Sequence, residues 1–97
     1  MVGRSRDWNE GLARDLRNPE FAREFVLAAC EEGVSVQDVL RKVVLLYGVK
    51  EFAQQVGMPS SNITRTLRPR SNPTHKTLDR LLAPLGLQLS ISVRPGA

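Results

Sequence analysis

The sequence predicts an all-α domain of five or six helices, closed by one short C-terminal β-strand. Three observations carry that expectation. Apolar residues recur at three- and four-residue spacing over most of the chain. Helix start and stop residues punctuate them, notably Asn18-Pro19, Gly33, Gly48 and Gly57. Only the last stretch, Leu87 to Val93, alternates strictly. Ninety-seven residues suit a single domain with one modest core, and no repeat, low-complexity tract or interdomain linker divides residues 1–97.

Residues 8–16 are expected to form a short first helix, with Trp8, Leu12 and Leu16 one turn apart, within a partly ordered N-terminal segment (residues 1–15). Asn18 can cap the next helix, and Pro19 suits its first position, where a missing N–H costs nothing. That helix runs through Phe21, Phe25, Val26 and Ala29 to Gly33. Ser35 with Asp38 resembles a capping box. Val36, Val39, Leu40, Val43, Val44 and Tyr47 then line one broad apolar face, which Gly48 ends.

Residues 49–67 read as two short helices around a tight turn. Phe52, Ala53 and Val56 form the apolar stripe of the first. Ala53 is small where the two helices must cross. Gly57 sits where a left-handed residue ends the helix, and Met58 plugs the turn. Ser60 can cap the second helix, and Ile63 and Leu67 give it an inward face. This is the helix-turn-helix pattern, which lays its second helix in the DNA major groove. An ordinary helical hairpin shares its apolar spacing. Arg68 to Pro73 is a loop, since Pro69, Ser71, Asn72 and Pro73 all break helices. A last helix is expected from Thr74 to Ala83, with Leu78, Leu81 and Leu82 inward.

A lone strand at residues 87–93 cannot satisfy its own backbone groups. Its simplest partner is the same strand of a second copy, paired about a two-fold axis through Leu87, Leu89, Ile91 and Val93. A strand of another protein is the second option.

Charge is unevenly spread. Residues 1–48 hold seven Lys/Arg and eight Asp/Glu, a net −1; residues 49–97 hold seven and two, a net +5. A polyanion is therefore drawn to the second half, while the mixed first half leaves room for a protein partner. No apolar run approaches the roughly twenty residues that span a bilayer. Met1 to Trp8 lacks the apolar stretch of a signal peptide, so a cytoplasmic protein is expected. Cys30, the one cysteine, reads as a small buried hydrophobe. His75 has no cysteine or paired carboxylate near it in sequence that would make a metal site or a catalytic triad. No Gly-rich phosphate loop occurs. No enzyme activity, metal or cofactor is expected.

The residues expected to meet DNA surround the second helix of the pair. Ser60, Ser61, Asn62, Thr64 and Arg65 lie on or beside its outer face, with Arg65 suited to a bidentate contact to guanine. Lys50, Gln54, Arg68, Arg70, Ser71, Asn72 and His75 would position the DNA backbone.

Several stretches together resemble the addiction-module antidote family, the HigA-like antitoxins of bacterial type II toxin–antitoxin pairs. They are Leu16 to Phe25, Tyr47-Gly48, Phe52 to Gly57, Asn72-Pro73, Thr77 to Leu82 and Leu85 to Ser90. The resemblance covers about residues 12–93. It implies a Cro/repressor-like helix-turn-helix and a cytoplasmic homodimer that represses its own operon. It also implies a partner, a RelE/ParE/HigB-like toxin that the chain neutralises. Thr64 stands where the family often has an aromatic, Ser71 where it often has glycine, and Pro84 where its last helix usually continues. The first difference bears on the operator sequence rather than on the fold. A phage-type repressor without a toxin, or a toxin-binding module with little DNA binding, would share much of this pattern.

Overall fold

The computed structural model describes residues 10–96, and every described element is helical. Trp8, like the rest of residues 1–9, lies outside the described residues. Residues 10–15 form α1, which buries Leu12 and, just beyond it, Leu16. The chain turns over Leu16 to Asn18, and the Asn18 side chain accepts from the Glu20 N–H at 2.9 Å with Pro19 in the first turn. This opens α2 (Pro19–Glu31), as the Asn-Pro pair predicts.

Helix α3 (Val36–Tyr47) starts at Ser35, whose hydroxyl accepts from the Asp38 N–H at 3.1 Å. The reciprocal half of the expected capping box is not made. The Asp38 carboxylate instead pairs with Arg41 one turn on, at 3.1 Å. Asp is one methylene shorter than the Glu that usually reaches back. Helix α3 supplies the middle of the core through Val39, Leu40, Val43 and Val44, all buried. Gly48, at φ 113°, ends it and joins it directly to α4 (Val49–Val56). Helix α5 (Ser60–Thr66), the loop to Thr74, α6 (His75–Leu82) and a 3₁₀ turn (Ala83–Leu85) complete the fold. Pro84 falls within that turn, so the last helix ends at Leu82 rather than Ala83.

One apolar cluster joins all of these elements. Leu12, Leu16, Ala22, Val26, Phe52, Ala53, Ile63, Leu67, Leu81, Leu82 and Leu85 surround the four valine and leucine residues of α3. No polar side chain is buried among the described residues. The packing of α2 shows two departures from simple apolar spacing. Phe21 is 39% exposed and Ala22 takes the buried position, because the core-facing stripe of α2 is centred between Ala22 and Val26. Cys30 is partly buried against the core rather than fully inside it.

The expected strand at residues 87–93 is absent from the described chain. A strand needs a neighbour to bond with, and the described residues include none. The segment instead docks onto the domain by its first half. The Leu87 N–H donates to the Leu82 carbonyl at 3.2 Å, and the Leu89 N–H to the Asp79 carboxylate at 2.8 Å. Leu87 and Leu89 pack against the core, whereas Ile91 and Val93 are 91% and 85% exposed. No helix among the described residues is long and apolar enough to cross a membrane.

Candidate nucleic-acid interface

Helices α4 and α5 are joined by three residues, Gly57, Met58 and Pro59. Gly57 is left-handed (φ 77°, ψ 33°), and its N–H donates to the Ala53 carbonyl at 2.8 Å. The Met58 N–H shares the same acceptor at 3.2 Å. The turn thus closes on Ala53, whose small side chain is buried between the elements. Phe52 anchors α4 from below, with its ring edge-on to Tyr47 at 5.6 Å.

The start of α5 differs from the expected one. Pro59, not Ser60, occupies the N-cap, and no side chain caps the helix. The Pro59 carbonyl accepts from Asn62 and Ile63 instead, so Ser60 is already helical. Proline's fixed φ suits this junction, since an extended backbone at −60°, 140° feeds straight into the helix. Ile63 and Leu67 face the core as expected.

The outer face of α5 presents Ser61, Thr64, Arg65 and, just past the helix end, Arg68, all exposed. Ser60 and Asn62 flank it, partly buried. The Thr64 hydroxyl donates to the Ser60 carbonyl at 3.0 Å, which fixes its rotamer along the helix. The Arg65 guanidinium donates to the Asn62 side-chain oxygen at 2.9 Å, so the longest reading candidate is held within the helix surface. Lys50 and Gln54 are exposed one turn apart on α4. Arg70, Asn72 and His75 are exposed beyond the far end of α5, and Ser71 is partly buried. Lys50, Arg65, Arg68 and Arg70 have no carboxylate partner among the described residues.

Three side chains hold this unit in place, and their role was not foreseen from the sequence. The Gln37 side-chain nitrogen lies 3.2, 2.8 and 3.2 Å from the carbonyls of Thr66, Arg68 and Ser71, sharing its two hydrogens among them. The Arg41 Nε donates to the Leu67 carbonyl. Gln37 and Arg41 stand one turn apart on α3, so α3 satisfies the carbonyls that the end of α5 leaves open. On the other side, Arg80 of α6 donates to the Gly57 carbonyl at 3.0 Å and ties down the turn. The i, i+4 spacing of Gln37 and Arg41 was visible, but a solvated polar pair has the same spacing.

Between α3 and α5 lies an apolar cleft of about 180 Å³, floored by Val44, Ile63 and Leu67 and flanked by Leu45, Val49 and Pro69. The expected dimerisation residues do not converge on one surface, because Leu87 and Leu89 turn to their own core while Ile91 and Val93 stand out in solvent. Comparison with protein-family models, with curated proteins and with solved structures gives no match to this chain.

Proposed function

We propose that α4, the turn and α5 form a DNA-reading helix-turn-helix, and that the chain is a dimeric operator-binding autorepressor of the antitoxin kind. The observation that carries the DNA reading is the outer face of α5. A short helix presents small hydroxyls and guanidinium groups without carboxylate partners to solvent on a mount fastened from both sides. Gln37 and Arg41 hold its end, and Arg80 holds its turn. Base readout needs such donors on a rigid support, since a loose reading helix would lose discrimination to entropy. The surrounding cations, Lys50, Arg68 and Arg70, supply the sequence-independent attraction to phosphates.

The toxin-neutralising half of the proposal is supported by the resemblance of residues 12–93 to type II antitoxins. The dimer is supported by the exposed apolar pair Ile91 and Val93, which a second copy would cover. A gel shift with the DNA upstream of the chain's own reading frame tests the central claim. A retarded complex that survives competitor DNA, and that Arg65→Ala weakens, is the expected result. Equal affinity for scrambled DNA would remove the autorepressor reading.

A further inference from the structure

The apolar cleft between α3 and α5 borders the candidate reading helix, and DNA contact does not account for its chemistry. Its floor is formed by Ile63 and Leu67, the inward residues at α5, against Val44 of α3. Its lining is almost wholly apolar and includes no acidic residue. Two arginines nevertheless line it, Arg41 from α3 and Arg68 from just beyond α5. Arg68 has no carboxylate partner among the described residues. Arg41 commits two of its guanidinium nitrogens to the fold, since Nε donates to the Leu67 carbonyl and Nη1 to the Asp38 carboxylate. Its remaining nitrogen, Nη2, is buried with no hydrogen-bond partner.

A buried charged donor without an acceptor is a standing cost to the fold, and such a group calls for an explanation. An anionic oxygen held beside Arg41 and Arg68 would supply the acceptor in a charge-assisted bond. The remainder of the cleft suits the opposite chemistry. Its volume of about 180 Å³ slightly exceeds the roughly 150 Å³ in which an apolar cavity admits benzene. One ring fits there, and a drug-sized ligand does not. A second copy of this chain is the poorer occupant, because a two-fold axis would set the same cations against each other.

We infer that the cleft binds a small aromatic carboxylate, with its ring on Val44, Ile63 and Leu67 and its carboxylate between Arg41 Nη2 and Arg68. The site stands on the cleft and its two arginines alone, whereas its consequence rests on the DNA reading. Arg68 is among the cations assigned to DNA phosphates, so a carboxylate that engages it competes with the operator. Ligand and operator then weaken each other by the same factor.

The probe is phenylacetate, titrated into the full isotope-labelled chain and followed by the backbone amide NMR signals. Phenylacetamide keeps the shape without the charge, and acetate keeps the charge without the ring. Phenylacetate should shift the Val44, Val49 and Leu67 amides saturably, with both controls about tenfold weaker or worse. Leu45→Glu places a carboxylate at the cleft on a 64% exposed residue, and Val49→Phe fills the space. Each should weaken phenylacetate by about tenfold or more. In a gel shift at constant ionic strength, saturating phenylacetate should raise the operator Kd about fivefold for wild type and leave that of Val49→Phe unchanged. No saturable shift, or undiminished binding by both variants, would overturn the site. Equal binding of phenylacetamide would overturn the role of the arginines. A Leu45→Glu chain that sediments as a monomer where wild type is a dimer would give the cleft to a second copy and overturn the proposal. A saturable phenylacetate site in a chain that binds no operator would leave the site standing and remove the DNA reading.

Discussion

The side-chain amide of Gln37 on α3 donates to the backbone carbonyl of Arg68, 31 residues away, at 2.8 Å. That contact joins the centre of the core to the end of the candidate reading helix. Gln37→Leu keeps the size but leaves the carbonyls of Thr66, Arg68 and Ser71 without this donor. Losing such a part-buried donor costs about 1–3 kcal/mol. Urea denaturation should show that loss. Operator affinity measured well below the melting temperature should fall as well, because the end of α5 is no longer fixed. A variant as stable and as tight-binding as wild type would mean that α5 is held by its apolar face alone.

Arg65 and Asn62 form the second testable pair. Arg65→Ala should weaken operator binding by about 1–3 kcal/mol and relax preference at one base pair of each half-site. Asn62→Ala frees the guanidinium without removing it, so it should change base preference less. Arg68→Ala and Arg70→Ala should weaken binding to all sequences and flatten the salt dependence by about 0.9 per lost phosphate contact. A binding-site selection reads all four variants together. If Arg65→Ala returned the wild-type motif, the reading face would have been placed wrongly.

Gly57 and Ala53 share one hydrogen bond across the turn, and each resists enlargement for its own reason. At φ 77°, an L-residue in place of Gly57 pays roughly 1–2 kcal/mol, and a β-branched one more. Gly57→Val should therefore lower the melting temperature more than Gly57→Asn, since Asn tolerates the left-handed region. Ala53→Leu should cost about 1–3 kcal/mol by overpacking, and it should tilt α5 away from its mount. Thermal melts rank these three variants. Equal melting of Gly57→Val and Gly57→Asn would contradict the strain argument.

Much of this arrangement is written in local signals. Asn18-Pro19, Ser35, Gly48 and Gly57 mark helix ends because capping and left-handed geometry depend on one residue and its near neighbours. The inward faces of α3 and α6 follow from spacing alone. The misses have a common cause, which is competition from distant parts of the chain. Ser60 is a better capping residue than Pro59 in isolation, yet Pro59 takes the cap because its extended backbone joins the turn to the helix. Which of Phe21 and Ala22 is buried depends on how α2 seats against α3 and the 3₁₀ turn, and it is Ala22. The reach of Gln37, Arg41 and Arg80 to carbonyls 23 to 34 residues away has no local signature at all. The strict alternation of Leu87 to Val93 specifies which residues share a side, but not whether a neighbouring strand exists to use it.

In the proposed dimer, the tail carries the two-fold contact. Leu87 and Leu89 stabilise their own domain, and the Leu89 N–H is anchored on Asp79. Cutting the chain before Leu87 would therefore damage the core as well as any interface. Cutting after Leu89 separates the two effects, because Ile91 and Val93 contribute almost nothing to the described core. A chain ending at Leu89 should melt close to wild type but sediment as a monomer. Its operator affinity should drop sharply, since the second half-site, about 34 Å from the first, no longer benefits from a high effective concentration. Ile91→Lys in the full chain should act the same way, by placing a charge where a second copy would bury an apolar group. Asp79→Ala provides the contrast, because it releases the tail without altering its apolar residues. That variant should still dimerise, with a modest loss of stability. Should the chain ending at Leu89 sediment as a dimer as tight as the full-length one, the two-fold contact would lie away from the tail. The cleft beside the 64% exposed Leu45 would then be the next surface to mutate.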